Sequence, residues 1–573
     1  MEYQKLNDKK YSVINTRTHW EFYLSLIIFW GIFFIILYYS MSLNNGNIIY
    51  SLDDCYIHMA IAKNFSQYGI WGINKDKFSS TSSSLLYTLL LSLIFFIIGP
   101  NELVPLILNL IFANFLIYQV YEIVKIKNQL PPYATFILLL SVIFFLPLHS
   151  LVFIGLEHTL QIIIDLYMIF IAVRILSDGH LQLNKYSLNR DKWTLLLIGP
   201  LVSMVRFEGM FIIVIICFLF LLRKDYKYSI MIGSISFLPI IIYGLISLSH
   251  GWFFFPNSVV VKSALLDFNS SSLDKKIKIF DPMGMFYYAP HLLIFFLGAL
   301  LIFYIHCFNK KDIWNQKALI AIIFIATSIC QIFFATVSLK GIYGSRYDAY
   351  LICIGIILIF ISISKQLPQK LSFDILKNYF FKREDNLEYS FLRLLTIILI
   401  IIIFYTPLVH RGIETIEDIP QATNNIYDQQ YQMGLFLKKY YNEKCIAAND
   451  IGAIDYLTDV KCVDLWGLGD IDTAKAIIND DLDNETIYDI AKKNNVIIAI
   501  IYESNYFGYE IPTEWIKAGQ WTISDNRVCY SSKVSFYAVD TEKYDALINN
   551  LKDFSSFLPN TVKESGNYTE SNT

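Results

Sequence analysis

The chain has 573 residues, of which 55% are hydrophobic and 17% charged, against about 25% charge in a soluble domain. This composition excludes a wholly disordered chain, a disulfide scaffold and a nucleic-acid binder. The net charge of −3 hides a split, because residues 410–573 hold 26 acidic and 14 basic side chains while the first 409 carry a basic excess.

Apolar runs fill the first 409 residues, among them Trp20–Leu43, Pro132–Phe153, Met283–Phe308 and Phe391–Leu408. Each is long enough to cross a hydrocarbon core of about 30 Å as a helix. The first run is too long for a signal peptide and lacks a small-residue cleavage site, so it is expected to stay attached. Basic residues prefer the cytoplasm. Lys5, Lys9, Lys10 and Arg17 therefore hold the N-terminus inside. Further basic clusters lie at Lys125/Lys127, Arg174 to Lys192, Arg223 to Lys227, Lys310 to Lys317 and Lys365 to Arg383. One threading keeps them all inside. It has eleven crossings, near 20–43, 103–122, 132–154, 158–177, 194–205, 209–222, 228–248, 284–307, 317–338, 347–364 and 391–409. The run Leu85–Ile98 is left at the outer face. An odd count puts the acidic C-terminal domain outside. The outer loops are then 44–102, 155–157, 206–208, 249–283 and 339–346.

In the outer domain, 410–558, Ile426–Tyr441 reads as a helix. Cys445–Asn449, Val463–Trp466 and Val496–Tyr502 read as strands, and Asp472–Ile478 begins a helix. Short apolar strands separated by helices predict a small parallel α/β sheet. Residues 559–573 are polar and expected to be disordered. Cys445 and Cys462 open neighbouring strands, either as a disulfide or as two free thiols. No cysteine spacing points to zinc.

Five polar constellations fall on the outer face of this threading. Asp53-Asp54 with His58 opens the first outer loop, and Gly155-Leu156-Glu157-His158 joins two spans. Arg206-Phe207-Glu208-Gly209 joins two short ones. Asn257 and Lys262 open the loop at 249, and Arg346-Tyr347-Asp348 opens the tenth span. Charges this close to apolar sequence are costly and usually functional. Each also has a plain reading: a helix N-cap for Asp53, an ion pair for Arg206 with Glu208, and head-group snorkelling for Lys262 and Arg346. Taken together, carboxylates beside cations at an outer membrane face suit transfer of a sugar from a polyprenyl phosphate. A carboxylate takes the proton of an acceptor hydroxyl, and cations stabilise the departing phosphate. Asp53, Asp54 and Glu157 are the catalytic candidates; Asp53 and Asp54 are also the candidates for a divalent cation. His58, Arg206, Glu208, Asn257, Lys262 and Arg346 are the substrate-binding candidates. Lys262 and Arg346 come first for the phosphate. The competing reading is a transporter or flippase of lipid-linked saccharides, which would place its charges at mid-membrane within an inverted repeat.

Asp53-Asp54-Cys55-Tyr56-Ile57, followed by Phe78-Ser-Ser-Thr-Ser-Ser-Ser-Leu-Leu-Tyr87-Thr-Leu-Leu, resembles the DDAYI…GxTSPLWTLL pattern of bacterial GT-C glycosyltransferases. The nearest group is the mycobacterial terminal β-arabinofuranosyltransferases. Gly155-Leu-Glu157, Arg206-Phe-Glu208-Gly209, Pro256-Asn257-Ser258 with Lys262, and Asn449-Asp450-Ile-Gly452-Ala453 resemble further motifs of that group in the same order. The resemblance implies a helical polytopic GT-C membrane fold with an α/β extracytoplasmic domain. It also implies a polyprenyl-phosphate sugar donor, Asp53 as the general base, an envelope glycan, lipid or protein acceptor, and a place in the bacterial inner membrane. Cys55, Tyr87, Phe207 and His158 depart from the group's pattern at the pocket rim. The identity of the sugar is therefore not carried over.

Overall fold

The computed structural model describes residues 19–127, 130–177, 185–261, 290–334, 346–368, 387–502 and 511–569. Lys262, most of the loop 249–283, Gly344 and the cluster Lys370 to Arg383 lie outside the described residues.

The membrane part is helical throughout. It begins with α1 (Trp20–Leu43), α2 (Asp54–Tyr68), α3 (Leu85–Ile98) and α4 (Val104–Tyr121). Next come α5 (Pro132–Phe145), α6 (Leu148–Ile154), α7 (His158–Leu176), α8 (Lys185–Val205), α9 (Gly209–Leu222) and α10 (Tyr226–Ser249). It ends with α11 (Pro290–Tyr304), α12 (Gln316–Phe334), α13 (Ala349–Ile363) and α14 (Leu387–Ile426). Among the described residues six helices are long and apolar enough to cross a membrane, or seven if α5 and α6, bent by 40° about Pro147, form one span. Helices α3, α9 and α13 are apolar but shorter. The expected count of eleven therefore draws its remaining four crossings from α8, α9, α13 and α14, with α3 not counted among them.

Helix α14 is 40 residues long, about 60 Å at 1.5 Å per residue. It passes without a break through the boundary expected at 409/410 and continues through a π-helical turn, Tyr427–Tyr431, into α15 (Gln432–Tyr440). The C-terminal domain thus follows a continuous helix rather than an irregular linker.

That domain is built from β1 (Cys445–Ala448), α16 (Gly452–Leu457), β2 (Lys461–Asp464), α17 (Ile471–Ile478), α18 (Asn484–Lys493) and β3 (Ile498–Ile501). It closes with β4 (Ile516–Thr522), β5 (Lys533–Ala538), α19 (Thr541–Phe554) and β6 (Lys563–Gly566). The strand order is β2-β1-β3-β5-β4-β6. Strands β2, β1 and β3 are parallel, and the other pairings are antiparallel. The sheet is therefore mixed, which corrects the parallel expectation: beyond the register shift at Lys517/Gly519, β4 alternates buried and half-buried residues over Gly519–Thr522, the period of an antiparallel strand covered on one face. The expected disordered tail is corrected too, because β6 pairs residues 563–566 with β4. In β1 and β3 every second residue reaches the opposite face. Ala447 and Ala499 pack with Ile490 and Ala491 of α18, while Ile446, Ile498 and Ile500 join the main core with Phe436 and Trp521.

The register also settles the cysteines. Cys462 lies opposite Ile446, one residue beyond Cys445. A shift of one residue sends the two side chains to opposite faces, and both are free thiols.

Candidate active site at the membrane–domain junction

Two helices lock the halves together. The carboxylate of Asp53, just before α2, accepts the amides of Gly452 and Ala453 at 2.8 Å each. Near the other end of α2, the Lys63 ammonium donates to the carbonyls of Tyr456 and Thr458, both at 2.9 Å. Helix α16 is thus held at its N-terminus by the acceptor oxygens of a carboxyl group and at its C-terminus by a cation, each as its dipole favours. Asn74 adds a third tie by exchanging hydrogen bonds with the backbone of Cys462 on the sheet edge. Asn257 adds a fourth, its side chain donating to the Gly467 carbonyl at 2.8 Å and its amide to Ser80. Asn257 was expected to grip phosphate, but the fold engages it in holding the outer domain.

Burial and the neighbouring Asp450 push the Asp53 carboxyl well above the usual carboxylate range. Burial also raises Asp450, which accepts from Gln430 at 2.7 Å and from the Tyr502 hydroxyl. Gly452 has to be glycine here, because a Cβ would lie 2.1 Å from the Asp53 carbonyl oxygen. Gly452→Ala is therefore expected to loosen the domain. Limited proteolysis should then cut the outer domain several-fold faster than in wild type, with α1–α13 left intact.

Asp54 faces elsewhere. Its Oδ2 accepts Arg346 Nη2 at 2.7 Å, and its side chain is 34% exposed while that of Arg346 is 2% exposed. Arg346 Nη2 also reaches the Tyr347 hydroxyl at 3.0 Å. Asp348, two residues beyond Arg346, pairs with Arg411 and His291, each at 2.6 Å. That pair ties the segment before α13 to α14 and α11, and neither residue was singled out from the sequence.

The second cluster centres on Glu157, fully buried at the start of α7. Arg206 Nη1 donates to its Oε1 at 2.7 Å, and Arg206 grips Glu208 bidentately at 2.6 and 3.0 Å. Ser83 bridges Glu157 and His58 Nε2, at 3.4 and 3.3 Å. His58 Nδ1 lies 2.7 Å from the Thr88 hydroxyl. Burial lowers the His58 pKa against the opposing pull of Glu157. The turn before Glu157 depends on Gly155, whose φ is +70° and whose Cβ would meet Tyr50 at 2.5 Å. Its carbonyl accepts the Tyr87 hydroxyl and the Cys55 thiol. Cys55 and Tyr87, two of the departures at the rim, thus brace this turn together.

The fold therefore brings together Asp54 with Arg346, and Glu157 with Arg206, Glu208 and His58. Tyr347 lies against both guanidiniums, 4.9 Å from that of Arg346 and 5.7 Å from that of Arg206. No cluster of three or more metal-ligating side chains occurs among the described residues. Asp53 is engaged by amides and Asp54 by a guanidinium, so in this arrangement the pair does not fit a cation site. The chemistry on offer is a carboxylate open to solvent beside buried cations.

A family model described as a domain of unknown function (DUF8728) matches residues 424–537. No curated protein matches the sequence. Several solved structures are similar, among them these three. ArnT from Cupriavidus metallidurans, bound to undecaprenyl phosphate, is 9% identical, with 90% of this chain and 98% of that one covered at a TM-score of 0.47. The Archaeoglobus fulgidus oligosaccharyltransferase in its apo form is 10% identical, with 91% and 75% covered at 0.47. The archaeal oligosaccharyltransferase AglB from Archaeoglobus fulgidus, with an inhibitory peptide and a dolichol-phosphate, is 12% identical, with 90% and 74% covered at 0.44.

Proposed function

We propose that the chain is a GT-C-type membrane glycosyltransferase. It moves a sugar from a polyprenyl-phosphate donor to a hydroxyl of an envelope glycan, lipid or protein at the outer face of the bacterial inner membrane. The observation that carries this reading is the Asp54–Arg346 pair, a half-exposed carboxylate on a buried guanidinium at the head of the apolar helices and beneath the α/β domain. Asp54 takes the proton of the acceptor hydroxyl. The hydroxyl oxygen bonds to the anomeric carbon, the bond from that carbon to the phosphate oxygen breaks, and the electron pair leaves on the polyprenyl phosphate. Arg346 aims Asp54 and, with Lys262, meets the charge that develops on the phosphate. Glu157, held by Arg206, and His58 face the sugar. Asp53 serves in this reading as the clasp of the outer domain rather than as the base.

The test is mass analysis of surface glycans and glycolipids from cells lacking the protein. One sugar unit should disappear and return with the wild-type gene. An unchanged glycan and glycolipid profile would count against any transferase reading.

A further inference from the structure

His158 follows Glu157 and takes part in none of the ion pairs above. It is the first residue of α7 and 2% exposed. Neither of its ring nitrogens makes a hydrogen bond of good geometry among the described residues, although the Gln161 side chain, one turn along α7, comes within reach of the ring. Its ring meets that of Tyr347 edge-on at 6.2 Å. Tyr347 is the ring that also touches Arg206 and Arg346, so His158 shares a wall with both cations and interacts electrostatically with each. Beside it, Glu157 Oε2 accepts no hydrogen bond and lies 3.7 Å from His58 Nε2.

Buried polar groups in folded proteins are almost always hydrogen-bonded, and each exception calls for a cause such as a bound group that completes it. An imidazole presents at least one N–H, and the carboxylate next to it presents only a lone pair. A ligand completing both must offer an acceptor oxygen to His158 and a hydroxyl to Glu157. The guanidiniums favour the more anionic oxygen on the histidine side, and the carboxylate repels it from its own. A glycosyl phosphate has that polarity, with phosphate oxygens at one end and sugar hydroxyls at the other.

We propose that His158 is a donor-binding residue whose ring N–H bonds a non-bridging oxygen of the donor phosphate, with the sugar turned toward Glu157. This inference rests on the lipid-phosphate reading. It gives a role to a position where the chain departs from the GT-C pattern it resembles.

The test uses the full chain purified in detergent and titrated calorimetrically with decaprenyl monophosphate, which carries no sugar, and with decaprenol, which carries no phosphate. His158→Phe keeps a ring against Tyr347 and removes both nitrogens. Its dissociation constant for the monophosphate should rise about 10- to 100-fold, the range of a hydrogen bond to a charged group. His158→Gln restores an N–H donor and should recover much of that loss. Decaprenol should bind all three proteins alike. Wild-type affinity of His158→Phe for the monophosphate overturns the role of His158 alone. A wild-type chain that binds decaprenol as tightly as the monophosphate overturns the lipid-phosphate reading, and the role of His158 with it. If His158→Phe does not accumulate, His158→Met carries the same comparison.

Discussion

Asp54→Asn should lower sugar transfer by about 10²- to 10⁴-fold, the usual cost of losing a positioned general base. The substitution keeps the side chain's size and a hydrogen-bond acceptor for Arg346 Nη2, now 2.7 Å from Asp54 Oδ2. It removes the charge that takes up the proton. Asp53→Asn is the informative control, because the Asp53 oxygens are filled by the amides of Gly452 and Ala453. Its effect should fall on the seating of the outer domain, read as faster proteolysis, with transfer reduced far less. Membranes carrying each variant at equal protein level, assayed for incorporation of labelled sugar, separate the two roles. Near wild-type transfer by Asp54→Asn together with collapse in Asp53→Asn would return the base to Asp53. Full transfer by both would leave Glu157 as the next candidate.

Arg206→Ala should be the most destabilising single change in the membrane part, at about 3–5 kcal/mol, the typical cost of breaking a buried ion pair from one side. The guanidinium is 9% exposed and faces Glu157, which has no exposure, and Glu208, which has 17%. Removing Arg206 leaves two carboxylates close together with their cation gone. The cost comes from that uncompensated charge rather than from the pair's own strength, so relieving it should recover stability. Arg206→Met combined with Glu157→Gln and Glu208→Gln should melt within a few degrees of wild type while remaining inactive. Thermal unfolding in detergent, followed by fluorescence-detected size exclusion, measures both. A single Arg206→Ala variant as stable as wild type would mean that the pair contributes little to the fold.

Much of the architecture was legible in the sequence because it rests on local pattern. Trp20–Leu43 was marked by hydropathy alone and is helix α1 to the residue. The strands at Cys445, Val463 and Val496 were marked by short apolar runs between turn residues, and each is present with its ends shifted by up to two residues. The order of the five polar motifs was legible as well, and members of four of them, Asp54 and His58, Glu157, Arg206 and Glu208, and Arg346, meet around Tyr347 or Glu157. What failed was non-local. The pairing of β4, β5 and β6 depends on partners chosen across the sheet, which no single strand encodes. The freedom of Cys445 and Cys462 depends on a one-residue register.

The division of labour between Asp53 and Asp54 shows the limit most clearly. The sequence showed two adjacent carboxylates just after the first apolar run, cations beside the ends of other apolar runs, and an acidic, less apolar C-terminal part. Residue type and position did not tell the two aspartates apart, since both are short acids at the start of one helix, and the resemblance alone pointed to Asp53. Only the tertiary structure decided between them. Successive residues at a helical start point about 100° apart, so one turns to α16, whose amides come from about 400 residues away. The other turns to Arg346, 292 residues away. The chemistry open to each carboxylate is set by the partner that folding brings to it, and that partner is distant in the chain.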